Sequence, residues 1–234
     1  MGYIFHRDFC ATKTTRRSLV DGYNPRTFAV RRPVLPDRYP LRLKPARHSI
    51  DFTLQVIDAT EGLEGDVVEC GSYQGEGLIT MAGYLDFIGS SRKVVGYDSF
   101  AGLHPTNEDG SAFGHLFTDT SSEAVRARIK QLGVESRASI VEGEFSDTLH
   151  KHAGAISVLV LDCDLYDSYL VALTALWDKV PAGGVVVLDE YGRPEKWPGA
   201  KAAVDEFLET RAENAEYGWW FPLPEAPRWY IRKA

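Results

Sequence analysis

Acidic residues recur in this 234-residue sequence where short apolar runs end. Glu69 leads into a glycine-rich stretch, Gly71-Ser72-Tyr73-Gln74-Gly75-Glu76-Gly77. Asp98-Ser99 closes KVVGY, Glu144-Phe145-Ser146 follows ASIVEG, Asp162-Cys163-Asp164 follows ISVLVL, and Asp189-Glu190 follows VVVL. One acid after a strand is accounted for as a helix cap, but acids at five such places exceed what capping needs. In open α/β sheets the carboxyl ends of the strands are where ligands bind, at the point where strand order reverses.

Each group suggests its own chemistry. The glycines of the first turn let the backbone approach a ligand and take positive φ, although a tight strand-to-helix turn alone would use them too. The pattern E-x-G-x-x-x-G-x-G is not the G-x-G-x-x-G fingerprint that seats a pyrophosphate, which argues against a nicotinamide-dependent reductase. Asp98 stands 27 residues past Gly71, where a carboxylate can accept both ribose hydroxyls of a nucleoside. Phe145 either lies against an adenine face, with Glu144 or Ser146 at its edge, or belongs to the core. Asp162 and Asp189 are separated by 27 residues, one βαβ unit, which returns the chain to the neighbouring strand. Strands lie about 4.8 Å apart, so carboxylates at matching ends nearly touch, and two close anions require a proton or a cation between them. Asp162, Asp189 and Glu190 therefore suit a hard cation such as Mg²⁺. Asp164 either shares the strand face with Asp162 or caps a helix starting at Leu165. None of the six histidines has the i, i+4 partner of a helical zinc motif. His104 and His115 either reach substrate from a long loop or are solvated.

These residues need a frame, and the patterning supplies one. Ser49 is expected to cap a helix presenting Ile50, Leu54 and Ile57. The strands DVVEC, KVVGYD, ASIVEG, ISVLVLD and VVVLDE alternate with helices, and their continuous apolar runs point to a parallel sheet covered on both faces. Thr120-x-x-Glu123 reads as a capping box for a helix through Leu132, closed by Gly133. A helix is expected over Leu165–Lys179 and another at about 199–209. Residues 99–119 form a loop long enough to be a lid. Trp219, Trp220 and Phe221 on one side of PLPEAP, and Trp229, Tyr230 and Ile231 on the other, read as a hairpin adding an antiparallel edge. The expected architecture is a doubly wound, mostly parallel α/β sheet, residues 49–234, preceded by an irregular arm, residues 1–48.

Composition bounds what this frame can be. The apolar and charged fractions are those of an ordinary globular protein, and no apolar run reaches bilayer-spanning length. The first residues make a poor signal peptide, and His6 stands where a myristoylation motif needs Ser or Thr. Three scattered cysteines exclude a disulfide framework and fit a reducing, cytoplasmic setting. Residues 1–47 carry eleven Arg or Lys against three Asp, a net of +8; the remainder carries fifteen basic against thirty acidic side chains, a net of −15. Such an arm packs against its own body or against a partner subunit of a homo-oligomer, or gathers an anionic substrate. Nothing interleaves aromatics with basic residues as a nucleic-acid platform does.

The motifs DVVECGSYQGEG, GYDSFAGL, EGEFSDTL, LDCDLYDSYLVAL and PAGGVVVLDEY followed by GAKAAVDEF resemble, in order and over about residues 64–208, the macrocin/mycinamicin-type O-methyltransferases. The glycine turn is also similar to that of catechol-type O-methyltransferases. The resemblance implies a Rossmann-like class I methyltransferase fold, S-adenosylmethionine as donor, and a Mg²⁺ ion chelated by substrate hydroxyls. It implies that Glu69, Gly71 and Ser72, with Tyr73 and Gly75 of the same turn, surround the methionine part. Asp98 and Ser99 would meet the ribose, Glu144, Phe145 and Ser146 the adenine, and Asp162, Asp189 and Glu190 the metal. The family more often has two adjacent Asp where this chain has Asp189-Glu190.

The expected function is Mg²⁺-dependent transfer of a methyl group to one hydroxyl of a polyhydroxylated small molecule, a sugar or glycosylated metabolite. A carboxylate, Asp162 before Asp164, would take the proton, and chelation would favour a vicinal diol. A phenolic, catechol-like acceptor is the nearest rival, and a nucleoside-binding module without catalysis is another.

Overall fold

The computed structural model describes residues 47–103, 116–218 and 228–234. Helix α1 (Arg47–Ala59) is followed by β1 (Asp66–Cys70), α2 (Glu76–Phe87), β2 (Val94–Asp98), α3 (Ser122–Gln131) and β3 (Ala138–Glu142). Then come α4 (Phe145–Thr148), β4 (Ile156–Leu161), α5 (Tyr166–Leu176), β5 (Val185–Leu188), α6 (Pro198–Leu208), β6 (Ala215–Gly218) and β7 (Arg228–Arg232). The strands form one sheet in the order β3-β2-β1-β4-β5-β7-β6. The first five are parallel, while β7 runs antiparallel to β5 and β6 antiparallel to β7. The chain reverses direction across the sheet between β1 and β4, so the topological switch point lies there.

Strand residues alternate between two cores, as period-two geometry requires. Val67, Val158 and Val185 pack with α1, α2 and α3 residues such as Ile57, Leu78 and Val125. Val68, Leu159 and Val186 pack with Tyr169, Leu173, Ala200 and Val204 of α5 and α6. Because both faces are covered, the strands read as unbroken apolar runs. At the floor of the sheet, Arg92, 6% exposed, ties α1 to the strands. Its guanidinium donates to Ile57 O at 2.7 Å and to Ser157 Oγ at 3.2 Å, and pairs with Glu61.

Several local expectations shift by one or two residues. Helix α1 begins at Arg47, which puts Ser49 inside its first turn and not at its cap. The cap of α3 is Ser121, not Thr120: Ser121 is extended (φ −149°, ψ 161°) and its Oγ accepts from Ala124 N at 3.2 Å. Glu123 thus falls in the first turn, one place short of the capping-box position. Helix α5 begins at Tyr166 with Leu165 as its N-cap and no side-chain cap bond, so Asp164 does not cap it. The antiparallel edge forms, but its first arm is β6, upstream of the tryptophans. Trp219, Trp220, Phe221, His104, His115 and the arm up to residue 46 lie outside the described residues. Among the described residues no helix is long and apolar enough to cross a membrane.

Candidate active site

The glycine turn after β1 is shaped by what surrounds it. Gly71 has φ +91°, and a Cβ there would meet Asp162 O at 1.8 Å. At Gly77 the close neighbour is a side chain: a Cβ would stand 2.2 Å from Glu69 Oε1. Glu69 is therefore folded back over the first turn of α2, where a carboxylate favours the helix N-terminus. It is 5% exposed, and its Oε2 has no hydrogen-bond partner among the described residues. Burial pushes its carboxyl up to about 7; the Ser72 hydroxyl offsets part of this and the Asp98 charge adds to it. Gly75, at φ +76°, is the N-cap of α2 and sits against Val125.

Asp98 holds two loops in place. Its Oδ2 accepts from Tyr73 N at 2.7 Å and its Oδ1 from Phe100 N at 2.7 Å. Tyr73 itself has φ +44°, its hydroxyl donates to Asp119 Oδ1 at 2.6 Å, and its ring meets Phe117 edge-on. These bonds frame a cavity of about 390 Å³ beyond the carboxyl ends of β1 to β4, in the size range of small-molecule sites. Of the residues expected to bind a donor, Gly71, Tyr73, Asp98, Ser99, Glu144, Phe145 and Ser146 line it. Glu69, Ser72 and Gly75 do not; they sit behind the wall and support it. Phe145 lines the cavity and also packs against the core, so the two readings of it are compatible. Asp167, Ser168 and Val171 of α5 line the same space and were not expected.

Asp162 and Asp164 also face the cavity. Asp164 adopts φ +62° and is buried. Asp162 follows Leu161, which is paired with Leu188, and Asp189 N donates to Leu161 O at 3.0 Å. That register brings Asp162, Asp189 and Glu190 together, with one oxygen from each lying within 4.8 Å of the others. Loss of water, then the charges of Asp189, Asp164 and Glu69, hold Asp162 well above the ordinary carboxylate range. Its side chain opens onto the cavity, where water screens part of the first effect, while the repulsion of the neighbouring carboxylates remains. Burial and the neighbouring Asp189, Asp162 and Asp164 raise Glu190 in the same direction. An all-oxygen cluster of mutually repelling carboxylates beside a cavity fits a hard divalent cation.

Three residues that sequence reasoning missed organise the cluster. Tyr169 OH lies 2.6 Å from Glu190 Oε2 and 2.9 Å from Leu161 O, fixing Glu190 from beneath. Arg193 pairs with Asp189 through Oδ2 and lies 3.6 Å from Glu190 Oε1. Arg228 donates to Asp189 Oδ1 at 2.9 Å. Arg193 follows Asp189 by four residues, but in a turn, where no helical spacing marks the pair. Tyr169 reads as core, and Arg228 reaches Asp189 only because β7 lies beside β5.

Known proteins show the same frame. A demethyldecarbamoylnovobiocin O-methyltransferase of Streptomyces niveus is 34% identical over 154 residues, 61% of this chain and 58% of that protein. An 8-demethyl-8-(2,3-dimethoxy-alpha-L-rhamnosyl)-tetracenomycin-C 4'-O-methyltransferase of Streptomyces olivaceus is 32% identical over 61% of this chain and 59% of its own length. The chain thus spans under two thirds of the length of both relatives. The solved structure of the O-methyltransferase NovP superposes with a TM-score of 0.67 at 28% identity, covering 79% of each chain. The fold is that of the Rossmann-like class I methyltransferases. The profile of the macrocin-O-methyltransferase (TylF) family matches residues 47–217, and the chain belongs to that family.

Proposed function

We propose that the chain is a Mg²⁺-dependent O-methyltransferase that binds S-adenosylmethionine in the cavity and methylates one hydroxyl of a sugar or glycosylated metabolite. The observation that carries this reading is the double position of Asp162, which lines the cavity and also belongs to the acid cluster. A donor in the cavity and a hydroxyl held at the cluster would meet at that residue. S-adenosylmethionine supplies an electrophilic methyl group. A divalent cation held by Asp162, Asp189 and Glu190 supplies Lewis acidity that lowers the pKa of an acceptor hydroxyl.

The protein's own work is positional. Asp98 keeps lone pairs for a ribose while its two backbone bonds fix the loops on either side. Phe145 is the aromatic residue at the end of β3 available to an adenine, with Glu144 and Ser146 beside it. Asp162, on the cavity wall, is placed to accept a proton from the hydroxyl, and Asp164 stands next to it. Holding the two reactants in line is the main gain available to such a site. The rhamnosyl group in the name of one relative supports a sugar acceptor.

Protein oxygens at three positions leave about three of six octahedral positions open on Mg²⁺. Two neighbouring hydroxyls of one acceptor would fill two of them, whereas a lone hydroxyl could rotate out of line. The reading therefore expects a vicinal diol methylated on one oxygen. The test compares a good acceptor with the analogue lacking only the neighbouring hydroxyl, at saturating donor, with Mg²⁺ and with excess EDTA. Loss of turnover in EDTA and in the neighbour-deoxy analogue is expected. Full activity in EDTA would remove the metal, and equal turnover of the analogue would remove chelation.

A further inference from the structure

Two arginines neutralise the acid cluster, and they are held very differently. Arg228 lies on β7, where the next residue, Trp229, pairs with Leu188; its side chain is 14% exposed. Arg193 lies in the turn after β5, its N–H donating to Glu190 O at 2.8 Å, and its side chain is 43% exposed. A single nitrogen of Arg193, Nη2, serves Asp189 Oδ2 and approaches Glu190 Oε1. It occupies the space between two of the three carboxylates that suit a cation.

We propose that Arg193 is an internal counter-ion that competes with the divalent cation for Asp189 and Glu190 and swings into solvent when the cation binds, while Arg228 stays in place. This rests on the metal reading of the cluster. Asp164 beside Asp162 also acts on Glu190 and on Arg193, so net charge alone does not choose between the arginines. Contact does. A hard cation about 2.1 Å from Asp189 Oδ2 would be forced against the guanidinium already bonded there. Arg193 can leave at small cost because its long side chain already reaches water. Arg228 is held more firmly, because its side chain is largely buried against Asp189 and has little path to water. The metal-free chain thereby keeps its cluster compensated, and the cation binds weakly until Arg193 has moved.

Calorimetric titration of the full chain with Mg²⁺ and Mn²⁺, donor and acceptor absent, tests this. Arg193→Gln should bind about tenfold more tightly than the wild type. Arg193→Lys, which keeps the charge, should stay within about twofold of the wild type. Lys130→Gln, which removes an exposed charge on α3, should change nothing. Thermal melting gives a second readout: Arg193→Gln should melt lower without metal and gain more on adding it. A wild type that binds metal beside an Arg193→Gln variant that binds no tighter would overturn the inference and leave the metal reading standing. Equal tightening in Arg193→Lys would also overturn it. If neither wild type nor any variant binds either ion, the metal reading fails and takes the inference with it.

Discussion

Glu69 shows how a single residue sets a condition on the fold. Its folded carboxyl is raised from 4.5 to about 7. Over that interval the folded chain binds more protons than the unfolded one, so stability falls as pH rises from 4.5, and the full penalty is present above about 7. The shift corresponds to about 3 kcal/mol for this buried group. Glu69→Gln should remove that dependence: urea unfolding at about pH 5 and about pH 8 should show a smaller loss in the variant than in the wild type. Equal losses would mean that Glu69 is not the group responsible. At this scale the sequence was legible where a residue ends a strand. Asp98, Asp162, Asp189 and Glu190 stand where their spacing put them. It was illegible where a partner comes from elsewhere, as Arg228 and Tyr169 do for Asp189 and Glu190.

The elements carry the precision that the residues need. The turn between β1 and α2 is set by steric contact, and Gly71→Ala should destabilise the chain by about 1–3 kcal/mol because its positive φ and the Asp162 carbonyl leave no room for a methyl. Urea unfolding in which Gly71→Ala matches the wild type would place the constraint elsewhere. The cap of α3 gives an independent check. Ser121→Ala should cost about 0.5–2 kcal/mol while Thr120→Ala costs little, since only Ser121 bonds the Ala124 amide. The reverse ranking would restore the Thr120 capping box. The strings Thr120 and Ser121 are both cap-formers one place apart, and only backbone conformation separates them. Asp164 was ambiguous for the same reason: its left-handed φ, which no periodicity reveals, takes it away from the α5 cap and leaves it on the cavity wall.

At the scale of the molecule, the alternation of apolar runs with helices was enough to read the parallel sheet, because burial on both faces writes itself into every strand. The order of strands was not written there, and with it the switch point between β1 and β4. The charge asymmetry remains a sequence observation: +8 over residues 1–47 against −15 over the rest. We expect deletion of residues 1–40 to impair acceptor turnover more than donor affinity; a truncated chain that retains both would make the arm dispensable. The central claim is that the cavity beyond β1 to β4 takes S-adenosylmethionine. Calorimetric titration of the full chain, without metal or acceptor, tests it most directly. One site per chain is expected for S-adenosylmethionine and none for NADH. Asp98→Ala should bind about tenfold to a hundredfold more weakly, the equivalent of about 1–3 kcal/mol. No binding of S-adenosylmethionine, or the same affinity in Asp98→Ala, would contradict the account.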